Sequence, residues 1–159
     1  MSYPLFIKMA LDSWYSKIRD TNKLLEKISD DQLAQEVAPG RNRGTYLLGH
    51  LLAVNDKMLT LLNLGERIYP ELDDIYLDNP DRTKAEKNTA AELRQKWHEI
   101  NAILADHFDK LSPEEWLQKH MAVSTEDFEK EPHRNRLNVL LNRTNHLSYH
   151  QGQLAFLKP

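Results

Sequence analysis

The chain has no cysteine, which excludes disulfide scaffolds, thiolate zinc sites, thiol nucleophiles and self-contained iron–sulfur clusters. Any thiol chemistry must borrow its thiol from outside. Glycine and proline are sparse, 5 and 7 in 159 residues, and apolar residues recur at three- and four-residue steps, so the expected class is all-α. An excess of positive charge is missing too. With 21 Lys+Arg against 24 Asp+Glu and a net charge of -3, neither nucleic acid nor an acidic membrane surface is an expected partner. No apolar run approaches the ~20 residues of a membrane span. The Leu5-Phe6-Ile7 patch is interrupted by Lys8 and Asp12 and precedes no small-residue cleavage site, so no signal peptide is expected and the expected setting is the cytoplasm. Residues 1–159 read as a single domain. A chain this long buries roughly 70% of its unfolded surface and needs no structural metal, so any metal it binds is a functional one.

Four long helices are expected. The first runs from about Pro4 to Ile28 on a stripe of Ile7, Leu11, Trp14, Ile18, Leu25 and Ile28, with a short turn at Asp30 to Gln35 behind it. The second begins after Asn42 as its cap and runs to about Leu64, where Gly65 offers a left-handed stop. A connection without period follows from Gly65 to Asn88, and its ~24 residues are unusual in a compact domain. Within it, the Asp73-Asp74 pair reads as a solvated charge cluster. Thr89-Ala90-Ala91-Glu92 has the form of a capping box ahead of a third stripe, Leu93, Trp97, Ile100, Leu104, Phe108 and Leu111. Ser112-Pro113-Glu114-Glu115 resembles another helix start, residues 118–133 read as irregular, and the fourth helix runs from about Arg134 to Leu157.

Of seven histidines, only His146 and His150 stand four apart, one helical turn, on a face continued by Gln153, Leu154 and Leu157. His50 shares the second helix's buried stripe with Leu47, Leu51 and Val54. Spacing and burial leave two readings open: core histidines with satisfied ring nitrogens, or ligands of one shared ion. The helix rise adds a test of level. His50 lies ~10 Å past the start of its helix and His150 ~10 Å before the end of its own, so the levels match when helices two and four are antiparallel. That order is up-down-down-up, which demands a crossover between helices two and three, and the long 65–88 segment supplies one. His107, on the third stripe, is the best alternative ligand. His98, His120 and His133 read as surface histidines, and Trp14, Trp97 and Trp116 as core or rim aromatics.

Asn42-Arg43-Gly44-Thr45-Tyr46-Leu47-Leu48-Gly49-His50-Leu51, followed by Asn145-His146-Leu147-Ser148-Tyr149-His150-Gln151-Gly152-Gln153, resembles the DinB family, also called the DinB/YfiT-like metal-dependent bundle. The resemblance implies a four-helix bundle of up-down-down-up order in which His50, His146 and His150 bind a divalent ion, commonly nickel or zinc. It also implies a kinship with enzymes that use low-molecular-weight thiols such as bacillithiol or mycothiol, although many members have no assigned reaction.

Three imidazoles leave coordination positions free for water, a thiol or substrate, the arrangement of a catalytic ion. Leu147 stands where an H-E-x-x-H peptidase carries its general base, which disfavours that chemistry. Residues stacked near the ligands are Tyr46, Asn142, Arg143 and Gln153, each with an ordinary structural reading as core aromatic, face residue or hydrogen-bond partner. Two functional classes follow. One is a metal-dependent thiol transferase or hydrolase acting on a small electrophile. The other is a non-catalytic metal- or ligand-binding bundle, for which a homodimer is an option.

Overall fold

A computed structural model describes residues 3–158, and among these the chain forms helices and no strand. The helices are α1 (Tyr3–Leu25), α2 (Asp30–Leu33), α3 (Gly44–Leu61), α4 (Asp73–Tyr76), α5 (Ala90–Phe108), α6 (Pro113–Trp116), α7 (Thr125–Lys130) and α8 (Arg136–Leu154). Single 3-10 turns precede α4 at Pro70–Leu72 and follow α8 at Ala155–Leu157. None of the described helices is long and apolar enough to cross a membrane.

The four long helices, α1, α3, α5 and α8, surround one continuous cluster of buried side chains. Trp14, Trp97 and Trp116 are all fully buried in it. Trp14 and Trp116 pack edge-on to Phe108, with ring centroids 6.3 and 5.1 Å away, a favoured geometry for aromatic quadrupoles. Polar groups tie the helix ends. The Arg94 guanidinium donates at 2.7 Å to the carbonyls of Leu25 and Ile28 at and just past the end of α1, where Leu25 also accepts the Ile28 N–H. Trp97 Nε1 donates to Asn22 Oδ1 at 2.8 Å.

Local chemistry accounts for the helix limits. The expected capping box forms at Thr89 and Glu92, and reciprocal boxes also open α2 from Ser29 and α6 from Ser112. The start of α3 differs from expectation. Its N-cap is Arg43 rather than Asn42, and the cap is supplied from a distance: the Asp81 carboxylate accepts the Arg43 backbone N–H at 2.7 Å. The stop differs as well. Asn63, at φ 54°, not Gly65, takes the left-handed position, with Asn63 N–H donating to Thr60 and Leu64 N–H to Leu59, the Schellman pattern. On α1, Leu11 and Ile18 are only partly buried, and Ala10, Thr21 and Leu24 face the core instead. Residues 118–133 contain α7, capped by Ser124. It buries no residue, so it shows no apolar period. Asn135 caps α8.

The 62–89 connection is ordered and pinned to α3. Asp56, fully buried, accepts from the backbone N–H groups of Ile68 and Tyr69 and from Arg67 Nε at 2.8, 3.2 and 2.9 Å. Arg67 then reaches Asp73 through both terminal nitrogens. Asp73 is therefore a partly buried anchor rather than a solvated charge, while Asp74 stays at the surface with Lys84. Further along, Tyr46 donates its hydroxyl proton to the Asn79 carbonyl at 2.8 Å, and Arg43 binds Asp81 and Glu86.

Two glycines permit this packing. A Cβ at Gly49 would lie 2.5 Å from the buried Tyr76 ring, and one at Gly44 would lie 2.5 Å from Leu157 and 2.7 Å from the Leu33 carbonyl. A Cβ at Gly152 meets nothing within 4 Å. Gly49→Ala is expected to destabilise the protein, because overpacking costs about 1–3 kcal/mol against a helix-propensity gain of about 0.5–1 kcal/mol. Gly152→Ala is expected to stabilise it by about 0.5–1 kcal/mol. Denaturant melts of the two variants check this, and a neutral or stabilising Gly49→Ala would contradict the close approach of Tyr76.

Candidate metal centre

His50 faces α8 from the second turn of α3, and His146 and His150 face it in return from successive turns of α8. The Nε2 atom of His146 is 3.1 Å from Nε2 of His50 and 3.1 Å from Nε2 of His150. One ring nitrogen from each of the three lies within 4.8 Å of the others, so the group can hold a metal ion. Two nitrogens each about 2.0–2.1 Å from a tetrahedral zinc stand roughly 3.3 Å apart, so the donor set fits. No Asp or Glu among the described residues joins the group.

The tautomers are set from behind. His50 Nδ1–H donates to the Tyr76 carbonyl at 2.9 Å, and His150 Nδ1–H donates to Gln153 Oε1 at 2.7 Å. The Tyr76 backbone carbonyl only accepts, so the His50 proton sits on Nδ1 and its Nε2 lone pair points inward; with Gln153 presenting Oε1, His150 takes the same tautomer. Burial lowers all three imidazole pKa values. His146 is pushed to about 4, by burial first and then by the charges of His150, His50 and Arg143. His50 is lowered by burial, against the opposing hydrogen bond to Tyr76, with Arg143 adding to the lowering. His150 is lowered by burial, against the bond to Gln153. Neutral imidazole is the form that ligates.

The other sequence candidates separate here. Gln153 contacts His150 directly. Tyr46 stacks on His50 at 6.4 Å between ring centroids, with its hydroxyl occupied by Asn79, so it braces the ring. Arg143 is half-buried, and its charge is felt at His50 and His146. Asn142 is exposed and bonds back to Asn138, away from the centre. Each four-residue step along α8 turns about 40° around the axis. The row 150, 146, 142 thus drifts to solvent while Arg143 stays inside. His107 and the remaining histidines lie outside the group. Sequence reasoning missed Tyr76, whose contribution is a backbone carbonyl and carries no residue-type signal. It also missed Asp56, which does carry one, as a carboxylate among the apolar positions of α3.

A cavity of about 290 Å³ opens at His150, lined by Val37, Gly40, Arg41, Asn42, Tyr149 and Gln153. A second of about 330 Å³ involves Lys57, Thr60, Leu61, Met121, Ala122 and Arg143. A larger one, about 420 Å³, lies between α1 and the end of α8 and does not touch the histidines.

Below pH 6.5 the unfolded chain's imidazoles take up protons that the folded ones refuse. The three histidines therefore contribute stability that is present above 6.5 and lost as pH falls through their lowered folded values. An NMR titration of the metal-free protein is expected to show Nδ1–H tautomers for His50 and His150, and a His146 midpoint near 4. Midpoints near 6.5 for all three would contradict the buried, mutually repelling arrangement.

A family model described as the DinB superfamily matches residues 14–154. A crystal structure of a conserved protein from Enterococcus faecalis is similar with a TM-score of 0.65 and 16% identity, covering 94% of this chain and 93% of that one, a likeness of fold. No curated protein matches the chain. With the family model spanning α1 to α8 and both histidine-bearing helices inside the match, the chain belongs to the DinB superfamily.

Proposed function

We propose that this chain, as one domain over residues 1–159, is a metal-dependent enzyme of the DinB type. In this reading His50, His146 and His150 hold one divalent transition ion, nickel or zinc, and the reaction joins a low-molecular-weight thiol to, or hydrolyses, a small electrophilic substrate in the cytoplasm. The observation that carries it is the convergence of three neutral imidazoles with no fourth protein ligand among the described residues, which suits a catalytic rather than a structural ion. A bound ion supplies Lewis acidity, which lowers the pKa of a water or thiol.

The chain's own residues do the rest. Tyr76 and Gln153 orient His50 and His150, and Tyr46 braces the His50 ring. The polar cavity lined by Arg41, Asn42, Tyr149 and Gln153 receives the thiol. No carboxylate serves as base, and the proton lost by the nucleophile passes to solvent, which reaches the half-buried imidazoles.

The same reading makes the fold a four-helix bundle of up-down-down-up order, with residues 62–89 as the crossover. Contacts at the helix ends support it. The start of α5 meets the end of α1 through Arg94, and the end of α5 meets the start of α1 around Phe108 and Ile7. The start of α3 meets the turn after α8 through Gly44 and Leu157.

Metal analysis of the zinc-loaded protein is expected to give one ion per chain. Gln153→Ala should weaken binding by about 10- to 100-fold, and His50→Ala by more. Chelation should abolish thiol conjugation to an aryl halide or ester hydrolysis while the helical circular dichroism stays, because the core does not depend on the ion. Undiminished binding in His50→Ala would remove α3 from the site. Metal binding with no turnover on either substrate class would make the chain a binding bundle.

A further inference from the structure

Arg143 makes no hydrogen bond or ion pair among the described residues, and its Nε is buried without a partner; Arg136, at the start of α8, is likewise unpartnered at Nε, but Arg143 is the one of the two that lines a cavity. Burial also disfavours its charge, yet a guanidinium does not give up its proton in a protein. By contrast, Arg43 and Arg67, which stitch the crossover, each engage two carboxylates. Only Nε is buried; the two terminal nitrogens of Arg143 reach solvent, so the guanidinium is free to exchange water for an anionic ligand.

Its position gives that ligand a place. Arg143 is one turn before His146 on α8, and it lines the 330 Å³ cavity with Lys57, Thr60 and Leu61 of α3 and the Met121–Ala122 segment. Lys57 and Leu61 lie seven and eleven residues beyond His50, on the same face of α3. The cavity therefore lies farther along the groove between the two histidine-bearing helices, ~10–16 Å up α3 from His50, with Arg143 rather than a histidine in its lining. Its lining is cationic at Arg143 and Lys57 and apolar at Leu61 and Met121. Lys57 is already paired with Asp73 at 3.0 Å, which leaves Arg143 as the free cation of the set. Charge balance points the same way. A divalent ion held by three neutral imidazoles has no carboxylate from the group to offset it, and Arg143 adds a further positive charge beside it, so the pair favours an anionic occupant.

We propose that this cavity is the substrate pocket of the three-histidine centre and that Arg143 receives the carboxylate of a small, partly aliphatic acid. This rests on the metal-site reading for the word substrate, but the acid-binding pocket itself is a property of the metal-free chain. The cavity is shallow and open to solvent, with a volume at the small end of ligand sites, and the guanidinium fork matches a carboxylate with two parallel hydrogen bonds.

The test uses pentanoate and pentanamide, titrated into metal-free and zinc-loaded protein and followed by ¹⁵N–¹H NMR, with zinc affinity measured in parallel. Pentanoate is expected to shift the Thr60, Met121 and Ala122 amides in both forms, and pentanamide to leave them in place. Arg143→Gln should weaken pentanoate by about tenfold or more, Arg143→Lys should keep part of the binding, and zinc affinity should not fall in either variant. Ala122→Trp, on the exposed rim, should block pentanoate without altering Arg143, which guards against a folding defect in the first variant. Equal binding of acid and amide, no binding in either form, or unchanged pentanoate affinity in Arg143→Gln would overturn the assignment. Loss of zinc binding in the wild type with pentanoate still bound would overturn the metal reading and leave the acid pocket standing.

Discussion

The hydrogen bond from His50 Nδ1 to the Tyr76 carbonyl, 2.9 Å long, joins the histidine group to the crossover. It needs Tyr76 close against α3, and that needs Gly49, where a Cβ would overlap the Tyr76 ring. It also needs residues 66–81 held along the helix. The buried Asp56 carboxylate does this at one end by accepting from Ile68, Tyr69 and Arg67, and Asp81 does it at the other through Arg43. Removing one partner of a buried, hydrogen-bonded ion pair costs about 3–5 kcal/mol. The clamp is therefore stiff, and it positions one of the three imidazoles.

The apolar core and the polar centre are largely separate. Trp14, Trp97, Trp116 and Phe108 pack between α1, α5 and α6, and the histidines sit half-buried in the groove between α3 and α8. The core can thus hold the helices while the centre is left electrostatically unsatisfied. With no acid in the group and burial opposing protonation, the imidazoles are kept neutral. In the proposed reading the same lack of acid makes the groove receptive to anions, with Arg143 as the cation that has no partner among the described residues.

Apolar periodicity was sufficient to read the helical class and the extent of α1, α5 and α8 to within a few residues, whereas the levels of His50 and His150 matched only on the condition that their helices run antiparallel. Capping chemistry marked α5 and α6 because Thr89, Glu92, Ser112 and Glu115 act within one turn. What escaped sequence reading acts across the chain or through backbone. The cap of α3 is Asp81, 38 residues away. The anchor of His50 is a carbonyl, and α7 buries nothing that could leave a pattern. Asn63 rather than Gly65 ends α3 because a Schellman turn closes there, a choice between two left-handed-tolerant residues that composition alone does not rank. Asn142 and Arg143, adjacent in sequence, diverge because the histidine row winds around α8 as it descends.

The central claim is that residues from two separate helices share one ion. Anomalous diffraction at the metal absorption edge, from crystals of the zinc- or nickel-loaded protein, tests it most directly. The expected result is one peak within bonding distance of the Nε2 atoms of His50, His146 and His150, with its remaining positions filled by solvent or a small ligand. A peak held by His146 and His150 without His50, or one located away from the groove between α3 and α8, would contradict it.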